Sequence, residues 1–263
     1  MTSARAKSIS CLTGAGFDQE FPSYVSRKFD ASGAVLPFPG NTFICHVPPG
    51  SVAHGALTEA SRALQAGPVA AAFSFLPPSS FHMTVFEGVC DADRNGDADR
   101  WPSGIRRDAP LSEINQTFQN ACEAVPIQKQ QQVRPTGIFG GFSVSLNGHS
   151  PLAEASLRHT RRLLRDATGI YRADFNAYSF HITLAYPLRW LTPVEANSVM
   201  DLSGQVFDQL VMQVSHIALG PVEFCTFKHM QAFDPQFVFS GRADIKFHNV
   251  SKNLAWNRSL PCR

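Results

Sequence analysis

Two segments far apart in the chain, Ser80-Phe81-His82-Met83-Thr84-Val85 and Ser179-Phe180-His181-Ile182-Thr183-Leu184, share Ser, Phe, His and Thr in register. Side chains alternate between the two faces of an extended strand, so His82 and Thr84 point one way while Phe81, Met83 and Val85 point the other. The same parity joins His181 to Thr183 above Phe180, Ile182 and Leu184. Each segment therefore offers an imidazole and a hydroxyl from a rigid element whose apolar side goes to a core. Only 9 His occur in 263 residues, and coincidence is a poor account of the match.

The surroundings repeat as well. The order strand, helix, S-F-H-x-T strand, helix is legible at residues 43–125 and again at 138–205. In the first unit, a strand at Phe43 to Val47 precedes a helix capped by Ser51, with core stripe Leu57, Ala60 and Leu64 and a stop at Gly67-Pro68. The strand Phe81 to Val89 follows, and Leu111, Ile114, Phe118 and Cys122 then recur at helical spacing. In the second unit a strand over Ile138 to Asn147 leads to Ser150-Pro151, which opens a helix with inner residues Ala153, Leu157, Thr160, Leu164 and Ala167, closed by Gly169. After the strand Ser179 to Pro187, the capping box Thr192-Pro193-Val194-Glu195 predicts a helix to about Leu202. Val211 to Leu219, Glu223 to Phe233 and Gln236 to Ser240 alternate like antiparallel strands.

This pattern predicts an α+β fold: a duplicated bilobal arrangement of two antiparallel sheets with flanking helices around a central cleft. The expected division is an N-terminal extension over 1–40, one bilobal domain over 41–240 and a C-terminal tail over 241–263, with ordered structure beginning near Phe43.

Composition narrows the function classes. With 44% hydrophobic and 17% charged residues the chain can bury a core and is not a disordered type. Its 23 Lys and Arg against 21 Asp and Glu give a net charge of +2, which provides no strong field for duplex DNA, so an anionic ligand must be held locally. Cys11, Cys45, Cys90, Cys122, Cys225 and Cys262 contain no C-x-x-C, and free thiols in a reducing compartment are expected. No run is long enough to span a membrane and residues 1 to 10 lack a signal-peptide core, so a soluble, cytoplasmic protein without a membrane partner is expected.

If the two units pack about a pseudo-twofold axis, both His-x-Thr pairs reach opposite walls of one cleft. Two imidazoles flanking a small ligand suit displacement at phosphorus: one neutral His takes a proton from the attacking oxygen, and one protonated His gives a proton to the leaving oxygen. A histidine near its ordinary pKa of about 6.5 can serve either role. The hydroxyls of Thr84 and Thr183 can donate to the non-bridging oxygens.

His82-Met83-Thr84-Val85 and His181-Ile182-Thr183-Leu184 match both H-x-[ST]-x motifs of the 2H phosphoesterase superfamily. With Pro39-Gly40-Asn41-Thr42 and the blocks around each motif, residues 30 to 240 resemble an uncharacterised branch of it. The resemblance implies a metal-independent, cofactor-free cyclic phosphodiesterase or a related RNA-end-processing activity, commonly on 2′,3′-cyclic phosphates. On this reading His82 and His181 are acid and base, Thr84 and Thr183 bind phosphate, and the partner is a nucleotide or RNA end carrying a cyclic phosphate. The alternatives are a non-catalytic binding module for nucleotides or RNA ends, and an RNA 2′-5′ ligase or exonuclease of the same superfamily, which needs a longer basic track.

Other residues carry weaker signals. Phe86 shares the parity of His82 and is the candidate for stacking on a base, with core packing as the alternative. Tyr186 has the opposite parity from His181 and is expected in the core. Arg158, Arg161, Arg162 and Arg165 share the outer face of their helix, where a solvated basic face competes with RNA-backbone binding. Lys228, on a late strand, is a weaker candidate for reaching the phosphate. A zinc centre needs three or four matched ligands, which neither motif supplies, and His46, His54, His149, His159, His216, His229 and His248 have no comparable context. The Asp91 to Asp97 loop lacks the Glu that a calcium loop requires, having Pro102 at its twelfth position.

Overall fold

The computed structural model describes residues 3–128 and 130–239. A helix α1 (Ser3–Thr13) precedes a first half made of β1 (Gly40–His46), α2 (Val52–Gln65), β2 (Phe73–Phe75), β3 (His82–Cys90) and α3 (Leu111–Cys122). The second half is β4 (Gln132–Phe139), β5 (Ser143–Gly148), α4 (Pro151–Thr168), β6 (Phe180–Thr183), β7 (Ala185–Pro187) and α5 (Pro193–Gln213). Three strands follow: β8 (Ile217–Ala218), β9 (Glu223–His229) and β10 (Ala232–Val238).

The class is α+β with two antiparallel sheets, and the larger sheet runs through both halves. Its strand order is β10-β9-β1-β3-β6-β5-β4-β8, while β2 and β7 form a small second sheet. The halves meet at the pairing of Met83 with Ile182 across β3 and β6, both side chains fully buried. In each half the helix that precedes the His strand packs against the last helix of the other half, α2 on α5 and α4 on α3. The apolar faces of β1, β3, β5 and β6 and the stripes of α2 to α5 close into one core that includes Phe43, Leu57, Ile114, Phe118, Leu157, Leu164 and Phe224.

The three helix starts legible in sequence are present. Ser51 accepts from the His54 amide, Ser150 accepts from the Ala153 amide ahead of Pro151, and Thr192 with Glu195 forms a full capping box. Gly169 closes α4 at a φ of 70°, the left-handed region that glycine reaches without a Cβ penalty.

Four expectations are corrected. The helix opened by the capping box does not stop near Leu202: Val199, Ser203, Val206 and Leu210 continue its buried stripe to Gln213, leaving β8 as a two-residue strand. Gly140 and Gly141, at φ values of 58° and 72°, split the single strand expected over 138–147 into the hairpin β4-β5. The first forty residues are not outside the ordered fold. Leu12 is buried in a cluster with Ala196 and Val199 of α5, and Phe29 lies in the main core. Cys45, Cys90, Cys122 and Cys225 are free thiols, but Cys11 is disulfide-bonded, a state that isolated cysteines give no spacing signal for. The tail expected over 241–263, with His248 and Cys262, lies outside the described residues.

Candidate active site

β3 and β6 set the geometry. Antiparallel pairing at Met83 and Ile182 places His82 beside Thr183 and Thr84 beside His181, all four on the face away from the helices. The neighbouring strands extend this into two rows. Pairing of His46 with His82 and of Ser143 with Thr183 makes one row of His46, His82, Thr183 and Ser143. Pairing of Ile44 with Thr84 and of Ser145 with His181 makes the next row of Ile44, Thr84, His181 and Ser145.

Both motif imidazoles are oriented by the same device. His82 Nδ1–H donates to the Ser80 carbonyl at 2.7 Å, and His181 Nδ1–H donates to the Ser179 carbonyl at 2.9 Å. A carbonyl can only accept, so the proton sits on Nδ1 and each neutral ring keeps its Nε2 lone pair for a ligand. The shared Ser two positions before each His thus acts through its backbone. Both rings are half-buried, and burial pulls His82 down to about 4, helped by the like charge of His46 and His181 and opposed by the Ser80 hydrogen bond. His181 is also lowered by burial, opposed by its Ser179 hydrogen bond and by the nearby Glu87 carboxylate.

Phe86 is not in this cleft. Phe43 pairs with Phe86 whereas Ile44 pairs with Thr84, so β3 carries one extra residue at Val85. The bulge reverses the alternation: Val85 and Phe86 both turn into the core, fully buried, and Glu87 takes the cleft face instead. The displaced Val85 carbonyl accepts from Arg161 Nη1 at 2.5 Å. Arg161 is accordingly buried and not part of a solvated face; its guanidinium lies 3.8 Å from the Tyr178 ring centroid and its pKa is lowered by desolvation to about 10. Of the other arginines in that group, Arg158 holds Glu154 and the Tyr178 carbonyl, Arg165 pairs with Asp166, and Arg162 is exposed.

The aromatic ring that does meet the motif is Phe233 on β10. It lies 4.2 Å from the His82 ring centroid, packs on Phe227 and is half-buried. No sequence signal separated it from the other 20 of the 21 Phe, because only the curl of the sheet brings β10 over β3. Lys228 is exposed on β9, and Tyr186, half-buried, packs against Tyr24 and Phe29. Lys28 lies over the rings of Tyr24, Phe38 and Tyr186 at 5.1 to 5.5 Å and its charge is felt at His181.

Sequence reasoning also passed over His46, Glu87 and Glu223. His46 Nδ1 is 2.5 Å from Glu223 Oε2, and its ring centroid is 6.2 Å from that of His82. Glu87 pairs with Arg172 at 3.0 Å. The donor atoms of His46, Glu223 and Cys225 lie within 4.8 Å of one another, the one such grouping of three among the described residues. Only strand register collects these residues, and a single sequence does not state it.

Comparisons with known proteins follow the same lines. Residues 28–138 match the family model 2H-phosphodiest, described as a domain of unknown function, DUF1868. No curated protein matches the chain. Among solved structures, a conserved protein of unknown function from Agrobacterium tumefaciens strain C58 is similar at 28% identity and a TM-score of 0.83, over 88% of this chain and 98% of that one. That similarity extends beyond residue 138 into the half that carries His181. Over residues 28–138 the chain resembles an uncharacterised, 2H-phosphodiesterase-like family, and over most of its length it shares the fold of the Agrobacterium protein.

Proposed function

We propose that this protein is a phosphodiesterase that opens a cyclic phosphate by acid–base catalysis between His82 and His181, with Thr84 and Thr183 holding the non-bridging oxygens. The observation that carries the reading is the cross-strand placement of the two motifs, with both Nδ1 atoms tied to backbone carbonyls and both Nε2 atoms left for a ligand. Alternation of imidazole and hydroxyl across two adjacent strands fits a tetrahedral phosphoryl group. One imidazole lies on each side of the scissile bond and one hydroxyl stands beside each imidazole. The substrate class is a 2′,3′-cyclic nucleotide, an RNA end of that kind or ADP-ribose cyclic phosphate. The modest net charge favours a small or single-stranded ligand over a duplex.

The test is a screen of the purified protein against 2′,3′-cyclic nucleotides, ADP-ribose cyclic phosphate and short RNAs with cyclic ends, reading product identity. Turnover of at least one with a single phosphomonoester product supports the reading. Tight binding without turnover would make the protein a binding module for nucleotides or RNA ends, and cleavage or joining of longer RNA would point to ligase or exonuclease chemistry.

A further inference from the structure

A half-turn about the Met83–Ile182 pair exchanges His82 with His181 and Thr84 with Thr183. The same operation carries His46 of β1 onto Ser145 of β5, since His46 pairs with His82 and Ser145 with His181. The two motif histidines are therefore equivalent in backbone and unlike in their neighbours. We propose that His46, held by Glu223, is a positioning residue that breaks this symmetry and fixes His82 as the general base and His181 as the general acid. The assignment rests on the two-histidine reading above and gives each ring one role.

The two rings differ in the charges that reach them: only His181 has a carboxylate among them. His82 faces His46 on β1, His181 on β6 and the Phe233 ring on β10, and both imidazoles oppose its protonation. His181 faces Thr84, Ser145 and the Tyr178 ring, 6.2 Å away between centroids, and of the charges felt at it Glu87 favours the imidazolium and Lys28 opposes it. Glu87 is shared with Arg172 at 3.0 Å. His46 in turn is faced by Glu223 and Cys225 of β9 and by His82, and the Cys225 thiol, raised by burial and by Glu223, stays neutral. A neutral imidazole suits the base, and an imidazole beside a carboxylate suits the acid.

The step balances as follows. A water oxygen bonds to phosphorus while His82 Nε2 takes its proton. The bond from phosphorus to one ring oxygen breaks, and its electron pair stays on that oxygen, which takes the proton from His181 Nε2. One water is consumed, and proton exchange with solvent returns both rings to their starting forms.

Two measurements on the full chain test this. In the first, wild type, His82→Ala and His181→Ala are assayed on 2′,3′-cyclic AMP and on the p-nitrophenyl ester of thymidine 5′-monophosphate, whose leaving group needs no acid. The nitrophenyl ester should restore His181→Ala to within about 10-fold of wild type and leave His82→Ala about 100-fold or more below it. The reverse pattern overturns the assignment and leaves the proposed function standing, whereas a wild-type protein that turns over neither these two nor the ADP-ribose cyclic phosphate and cyclic-ended RNAs of the screen overturns both. In the second, ring resonances are followed by NMR against pH in wild type and His46→Gln, where glutamine can still bond Glu223. His82 should titrate higher in the variant by about 0.5 or more. An unmoved His82 titration removes His46 from the argument whatever the activity.

Discussion

Met83 pairs with Ile182 at the centre of the large sheet, and through these two buried side chains the sheet runs from one half of the molecule into the other. This pairing fixes the register of the two motifs against each other, because a slip of either strand by one residue would turn that strand's imidazole and hydroxyl into the core. The small apolar pair beneath the cleft is thus the mechanical basis of the site above it.

Replacing either motif histidine tests the chemistry. His82→Ala and His181→Ala should each lower kcat by about 100- to 10,000-fold while leaving the fold and product affinity intact. Steady-state kinetics with circular dichroism and calorimetric titration of product check this. Near wild-type rates in either variant would make the pair structural.

The pH dependence follows from burial. Two histidines near about 6.5 would predict a bell in kcat/KM between roughly pH 5 and 8. Burial lowers both rings, His82 to about 4, so the bell of the free protein should move to the acid side, with one limb near 4 and the other below the ordinary histidine value. The limbs belong to the coupled pair. Folding stability carries the same sign: a lowered folded-state pKa means that the unfolded chain binds protons more readily. Stability is therefore full above about 6.5 and falls as the pH drops toward 4. Denaturant titrations across that range check the second statement, and a rate profile centred near neutrality would contradict the first.

The two phenylalanines separate packing from function. Phe86→Ala empties a fully buried site between Phe43 and Phe175 and should cost about 3–5 kcal/mol of stability. Phe233→Ala removes a half-buried ring from the edge of the cleft and should cost much less stability. Its effect should fall on KM for a nucleotide substrate instead, by several-fold. Urea denaturation and KM measurements on the pair decide the matter. Equal stability losses would place Phe233 in the core.

Chelation is the fourth test. Acid–base transfer between two imidazoles requires no Lewis acid, so activity should survive exhaustive treatment with EDTA. Loss of turnover that a divalent ion restores would redirect attention to His46, Glu223 and Cys225, whose donor atoms lie close enough to share an ion.

The repeated order of helices and His strands, three helix caps and the pairing of His with Thr were legible in the sequence because each depends on residues a few positions apart, whereas α1 and the β4-β5 hairpin were not. Alternation along a strand put His82 with Thr84 and His181 with Thr183, and the caps at Ser51, Ser150 and Thr192 needed only their next few neighbours. The same alternation misplaced Phe86, because a bulge at Val85 depends on how β1 pairs with β3 and leaves no local mark. Helical spacing put Arg161 on a solvent face, yet its guanidinium is drawn inward by the carbonyl that the bulge displaces and by the Tyr178 ring. Local periodicity thus determined which residues could share a face. Pairing between distant strands alone decided that His46, Glu223 and Phe233 would gather around His82, since contacts between β1, β3, β9 and β10 exist only after the sheet has closed on itself.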